Sequence, residues 1–326
     1  MPVVKRRAGV MKAEMRTTLL NKLVGGNILR GYITRREFRL GHAVKAAAFA
    51  LYTYPIRKLF TLENAFITAP REYYEELHEL LHLAKINGVD LIRIGKDNDG
   101  GYIMPDDFES DDKIAYSFGI SDDVSWDKDM ASRGYDVFMY DHTIDSLPEE
   151  NPRFHWSKIG ISDGTGNDGR LKTLDELIKA NHHEGRHNMI LKMDVEKAEW
   201  GFIEMVSTEM LSRFSQILIE FHGLNEPKWQ GRIPAALRKL NLTHQPVHIH
   251  GQNIGHYVSL GTQTFCNQIE VSYVRRGKYS FDENYDVKLP LDIDMPALLH
   301  IPEISLGRWN RKITPEDKFS AISVIL

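Results

Sequence analysis

The chain has 326 residues, a formal net charge of −4 and a single cysteine, Cys266. That length holds one large domain with additions or two modest ones, and a lone thiol excludes an intrachain disulfide and a CxxC zinc framework. No window approaches the roughly 20 apolar residues of a membrane span, and Lys5-Arg6-Arg7 is not followed by an apolar stretch of signal-peptide type, so a reducing, cytoplasmic setting is expected.

The charge is unevenly spread. Residues 1–60 carry 13 Lys and Arg against Glu14 and Glu37 alone, which leaves the remaining chain at −15. From Met11 to about Phe60 the apolar spacing is helical, and Ala43 to Tyr52 is a strong helix former ending before Pro55. With Arg35, Arg36, Arg39, Arg57 and Lys58 around it, this stretch reads either as a peripheral contact with an anionic membrane surface or acidic partner, or as a packing or dimerisation element with a solvated basic face. Homo-oligomers are one outcome of the second reading. The strongly acidic body opposes phosphate binding and shows no basic groove with interleaved aromatics, which argues against a nucleic-acid substrate.

A second helix is predicted over residues 71–87, with Tyr74, Leu77, Leu80, Leu81 and Ala84 at helical spacing and a stop at Asn87-Gly88. The division drawn here is a basic helical extension over 1–88 and a catalytic domain over 89–326. Beyond that point β-rich runs at 113–120, 136–141, 155–161, 189–194 and 216–222 alternate with helical patterns at 125–133, 174–181, 196–211 and 233–240. Such alternation implies right-handed βαβ crossovers and a parallel sheet covered on both faces. Two further strands, 246–250 and 268–276, lack a comparable helix between them and are expected as an antiparallel hairpin at one sheet edge. The fold class is thus α/β, a Rossmann-like sheet of five parallel strands plus a C-terminal antiparallel hairpin. The segment after Pro290 reads as a wrapping tail.

Ligands of open α/β sheets bind at the carboxyl ends of the strands. The first strand ends in Phe118-Gly119-Ile120-Ser121-Asp122, where one glycine allows close backbone approach; an ordinary strand-to-helix turn has the same look. The second ends in Tyr140-Asp141-His142, and an acid about 20 residues after a glycine turn can accept the hydroxyls of a ribose, although a capping aspartate fits too. With no second or third glycine to receive a pyrophosphate, a nucleoside without phosphates suits the pattern better, and a nicotinamide-dependent oxidoreductase is disfavoured. The fourth strand runs into Asp194-Val195-Glu196-Lys197-Ala198-Glu199-Trp200. Glu196 and Glu199 share one face at a helix start, where the dipole favours negative charge, while Asp194 sits where a hydroxyl proton or a cation can be held. His222 closes the fifth strand, and His248, His250 and Gln252 lie on the first strand of the hairpin. General base, divalent-metal ligand together with Asp194, and core histidine all remain open for His222 and His250. Ahead of the first strand, Asp99-Gly100-Gly101-Tyr102 is a tight-turn signal, read either as a plain hairpin or as a lid over a cofactor.

Asp99-Gly100-Gly101-Tyr102, Tyr116-Ser117-Phe118-Gly119-Ile120, Lys192-Met193-Asp194-Val195-Glu196 with Ala198-Glu199-Trp200, Ile219-Glu220-Phe221-His222 and His248-Ile249-His250-Gly251 resemble, in this order, the FkbM-like methyltransferases. The likeness spans roughly residues 90–276. It implies a class I fold, S-adenosylmethionine as donor and O-methylation, commonly of sugars in glycans or natural products. It places Gly119 and Asp141 at the cofactor and Asp194, His222 and His250 towards the acceptor. Asp99, Gly100 and Tyr102 of the turn, with Asp122 and His142 beside the two strand ends, complete the expected cofactor contacts. Lys197 stands where the family commonly has glycine, and Gln252 where it has asparagine, which leaves room for altered acceptor contacts. A scaffold that keeps the fold without catalysis, serving a glycan-assembly complex, is the rival from another class; it would have no need of Asp141, Asp194, His222 and His250.

Overall fold

Runs such as Met189-Ile190-Leu191 and Ile217-Leu218-Ile219 are apolar on both sides of a strand and need cover on both faces. In the computed structural model, which describes residues 69–110, 112–164 and 169–323, they form the middle of a seven-stranded sheet. The elements in chain order begin with α1 (Arg71–Leu80), the short hairpin β1 (Leu91–Ile94) and β2 (Tyr102–Pro105), then β3 (Ile114–Phe118), α2 (Ser125–Ser132), β4 (Asp136–Tyr140) and β5 (Phe154–Ser157). They continue with α3 (Leu174–Ala180), β6 (Met189–Met193), α4 (Ala198–Met205), α5 (Thr208–Leu211), β7 (Phe214–His222) and α6 (Ile233–Asn241). Last come β8 (His244–Gly251), β9 (His256–Leu260), β10 (Gln263–Cys266), β11 (Gln268–Arg275) and β12 (Phe319–Ser323).

The sheet order is β8-β11-β7-β6-β3-β4-β5. Strands β7, β6, β3, β4 and β5 pair in parallel, and β11 runs antiparallel to both β7 and β8. The expected five parallel strands and edge hairpin are therefore present, with β11 inserted between its partner and the parallel set. The loop between β8 and β11 carries a second small sheet, β10-β9-β12, to which the C-terminal strand contributes.

The two faces of the large sheet differ. One is largely apolar: Tyr116, Leu191, Ile217 and Ile219 pack beneath helical residues such as Leu77, Ile178, Phe202 and Leu237. On the other, Ala115, Val137, Ile190 and Leu218 pack beneath the β1–β2 hairpin and α2, through Ile94, Tyr102, Met104, Trp126 and Met130. This second apolar patch gives way to charged side chains towards the carboxyl ends of the strands, and that change of character places the site.

Three expectations are corrected. The helix from Arg71 stops at Leu80 instead of Asn87, because the backbone beyond it is bonded elsewhere: Leu83 N–H donates to Asn310 Oδ1 at 2.9 Å, and Asn310 Nδ2 donates to Leu83 O at 2.7 Å. The helix expected over 196–211 is two helices, because the Ser207 side chain accepts from Met210 N–H and starts a new one. The domain boundary at 88 falls too late. Tyr73, Tyr74 and Leu77 of α1 lie in the main core, each side chain worth about 1.5–3 kcal/mol on burial, so α1 belongs to the domain. The basic segment over 1–60 lies outside the described residues. The tail after Pro290 does wrap the body, ending as β12 on β9, and among the described residues no helix is long and apolar enough to cross a membrane.

Candidate active site

Because side chains alternate along a strand, Lys192, Glu220, Ser272 and His248 continue the face begun by Ile190 and Leu218, and cross-strand pairing puts Glu220, Glu270 and His250 in one row. A charged layer on the inner face of a sheet is costly unless each group finds a partner. It is covered by the β1–β2 turn: Tyr102, 1 % exposed, donates its hydroxyl to Asp194 Oδ2 at 3.3 Å.

A cavity of about 430 Å³ opens at the carboxyl ends of β3, β4 and β6. Gly119, Asp122, Asp141 and His142 line one side, Asp194 and Glu196 another, and Asp99 with Gly100 of the turn a third. Of the ten residues proposed for cofactor or catalysis, Tyr102 touches this cavity only through Asp194, and His222 and His250 do not line it.

The residues perform jobs the sequence did not disclose. Gly119 has φ +76°, and a Cβ there would fall 1.6 Å from the Asp194 carbonyl oxygen, so the glycine lets two strand ends meet as well as facing the cavity. Gly100, at φ +89°, leaves room for Asp123, whose Oδ2 lies 3.2 Å from Lys96 Nζ. Asp141 Oδ2 accepts from Ile120 N–H at 2.9 Å and Ser121 N–H at 3.0 Å, and Oδ1 accepts from Thr143 N–H and Oγ1 at 2.8 and 2.6 Å. Burial opposes its charge, but these donors hold the carboxyl below its usual range. His142 fits because residue 160 is glycine; a Cβ there would meet its Nδ1 at 2.4 Å. Asp99, on the cavity rim, is shifted upward by desolvation and then by the like charges of Asp194 and Glu270.

Around Asp194 the chain is held tightly. Lys192 Nζ donates to Gly119 O at 2.8 Å, and Glu196 and Lys197 both take left-handed backbone angles, φ +51° and +84°, an unusual pair for residues with side chains. Lys197, at the position the resemblance gives to glycine, pairs with Glu226 at 2.9 Å. The bend turns Asp194 and Glu196 towards His222, whose Nε2 lies 3.8 Å from Asp194 Oδ1, 3.6 Å from Glu196 Oε2 and 3.5 Å from Glu220 Oε1. The His222 backbone N–H donates to Glu199 Oε1 at 2.8 Å, and its Nδ1 lies 3.3 Å from the same oxygen. Burial would lower the His222 pKa, yet the Glu199 bond and the charges of Glu199, Asp194 and Glu196 raise it. Glu199 is fully buried on the first turn of α4, where the helix dipole favours its charge.

His250 requires a correction. It is 2 % exposed, with Nδ1 at 3.2 Å from Glu270 Oε2 and Nε2 at 3.2 Å from Glu303 Oε1. Burial disfavours its charge, but Glu303, Asp294 and Glu270 raise its pKa well above the usual histidine range. Both nitrogens being committed, it has no lone pair to offer a substrate, and it pins the tail to the sheet. His248 does likewise through Asp294 Oδ2 at 3.2 Å. Gln252 is also buried and donates to Glu270 Oε1 at 2.8 Å, bracing the carboxylate beside His250. The residue that sequence reasoning missed is Glu220. Its signal was present in Ile219-Glu220-Phe221-His222, where acid and imidazole two apart share one face of a strand.

A family profile described as a methyltransferase domain matches residues 66–241, slightly more than half of the chain and from just ahead of α1 to the end of α6. Comparison with curated proteins and with solved structures gives no match.

Proposed function

The chain belongs to this methyltransferase-domain family, and we propose that it is a class I S-adenosylmethionine-dependent O-methyltransferase acting on a sugar hydroxyl of a glycan or glycoconjugate. The observation that carries the reading is a single cavity joining the Gly119–Asp141 strand ends to Asp194. The fold's order, with one antiparallel strand beside the last parallel one, supports the class I assignment.

Cavity charge favours this donor over a dinucleotide. Asp99, Asp122, Asp141, Asp194 and Glu196 outnumber Lys96 and Lys192 on the walls, which attracts a cationic sulfonium and repels a pyrophosphate. Gly119, Asp141 and His142 are the lining residues that would hold the adenosine. Asp141 Oδ1 would accept a ribose hydroxyl in place of that of Thr143, an exposed residue whose hydroxyl can bond water instead. The acceptor hydroxyl lies at Asp194. Bound S-adenosylmethionine would supply an activated methyl group on a sulfur that leaves as a neutral thioether, and Asp194 would take the proton of the hydroxyl that receives it. The donor is already activated, so the protein's work is to align the two groups and remove one proton. The sugar class rests on the family resemblance, the hydroxyl class on a carboxylate and an imidazole being the groups at hand.

Calorimetry with S-adenosylmethionine, followed by labelled methyl transfer to a panel of glycans and lipid-linked sugars read by mass, tests the reading. Saturable donor binding and a methylated hydroxyl are expected, with Asp194→Asn losing most turnover while retaining donor affinity. No donor binding by the folded protein refutes it, and near-normal turnover of Asp194→Asn removes Asp194 as the base.

A further inference from the structure

We propose that Asp194, Glu220 and His222 hold a divalent transition cation, which receives the acceptor hydroxyl; the second clause rests on the methyl-transfer reading, the first does not. Each of the three offers one ligand atom, and these atoms lie within 4.8 Å of one another. Histidine–carboxylate ligands bind such cations at about 2.0–2.2 Å, which puts neighbouring ligand atoms about 3–3.6 Å apart. The observed 3.5 Å between His222 Nε2 and Glu220 Oε1 and 3.8 Å between His222 Nε2 and Asp194 Oδ1 need only small closure.

Two independent features point to a ligand. The Glu220 side chain is more than nine-tenths buried and takes no hydrogen bond from any described residue; Asp194, Glu270 and Asp99 add like charge around it, and Lys192, whose Nζ is bonded to Gly119 O, offsets only part of that. A buried carboxylate in that position costs several kcal/mol unless a proton or a cation neutralises it. Beside it, the His222 Nδ1 side is fixed by fully buried Glu199. Since a carboxylate only accepts, Nδ1 is the protonated nitrogen and Nε2 points its lone pair at the cluster. A carboxylate behind a histidine is the arrangement that orients metal-bound imidazoles.

The site also has an open side. Asp194 is 28 % exposed and lines the cavity, and Glu196, 81 % exposed, lies 3.6 Å from Nε2 on the cavity wall beside it. Asp194 Oδ1 faces the cation while Oδ2, held by the Tyr102 hydroxyl, keeps a lone pair for the acceptor's proton. A hydroxyl on the open positions would be acidified beside the donor pocket. One imidazole with two carboxylates suits manganese, iron or zinc better than magnesium, which prefers oxygen and water ligands.

The test uses the full chain, stripped with a chelator and titrated with manganese chloride, free Mn²⁺ being followed by its paramagnetic resonance signal, with zinc and magnesium chlorides as comparison. The expected result is one Mn²⁺ per chain. Glu220→Gln, nearly the same shape, loses affinity about tenfold or more, and Glu199→Gln loses about 10–100-fold through the histidine; both keep S-adenosylmethionine affinity by calorimetry. Should Glu220→Gln fail to fold, Asp194→Asn on the open edge gives the same comparison. Failure of the folded wild type to take up any of the three ions, or uptake unchanged in these variants, overturns the inference. Donor binding without metal uptake sinks only the metal site, and metal uptake without donor binding sinks only the methyl-transfer reading.

Discussion

Gly119→Ala asks whether the junction between donor side and acceptor side is as tight as the geometry implies. The added methyl would lie 1.6 Å from the Asp194 carbonyl oxygen, where roughly 3 Å or more is the ordinary contact, so the strand ends must part by about 1.5 Å. Three costs follow. Alanine at φ +76° costs about 1–2 kcal/mol. Parting the strands stretches the Asp194 N–H bond to Phe118 O, 2.9 Å, and the Lys192 Nζ bond to Gly119 O, 2.8 Å, each worth about 1 kcal/mol. Residual overpacking adds about 1–3 kcal/mol. The sum is about 4–7 kcal/mol, a large share of the stability of an ordinary domain. Urea unfolding of wild type and variant reads it as a shift in midpoint at constant slope, and S-adenosylmethionine calorimetry reads the damaged pocket. A loss under about 1 kcal/mol with unchanged donor affinity refutes the argument.

Lys197→Gly removes a side chain from a left-handed position and should stabilise the fold by about 0.5–1 kcal/mol, the strain released exceeding the half-exposed ion pair with Glu226 and the entropy of a freer unfolded chain; a lower urea midpoint contradicts this. Glu303→Gln strips His250 of one buried carboxylate and should cost about 3–5 kcal/mol, with hydrogen exchange rising first in the tail around residue 303; protection unchanged there would show that the pair does not pin it. His244 is buried against Phe214 O, and burial lowers its pKa from 6.5 to about 4. Because the unfolded chain takes up that proton first, stability is full above pH 6.5 and falls as pH drops towards 4, by roughly 3 kcal/mol in all. His244→Gln should flatten the slope of unfolding free energy over that window, and an unaltered slope rules His244 out as its source.

The fold was legible because its signals are local and repeated. Five apolar runs such as Met189-Ile190-Leu191, each followed by helical spacing, leave a parallel sheet as the economical solution, and Gly119, Asp141 and Asp194 at three strand ends converge as the topology demands. The misses are of another kind. His250 looked like a base because sequence shows its strand but not Glu303, 53 residues away, which occupies its second nitrogen. The helix after Arg71 was overextended because Asn310, more than 200 residues on, captures the Leu83 backbone. Asp141 was read as facing a ribose, and the sequence did not show that its oxygens also accept from amides and a hydroxyl within 21 residues, which fixes the carboxylate at the cavity wall. Glu220 was missed because attention to histidines hid a period-two alternation of charge on a strand that should have been apolar on both sides.

The placement of β11 between β7 and β8 bears on how the molecule is made. During vectorial synthesis β7 and β8 leave the ribosome before the strand that separates them, and neither can dock finally until residue 275 has emerged. Until then Glu220 and His250 face an open gap instead of Glu270, and β7 presents an unpaired edge to any passing chain. A nascent chain stalled shortly after α6, where the family profile ends, should therefore be a client for chaperones, while one extended past β11 should let go.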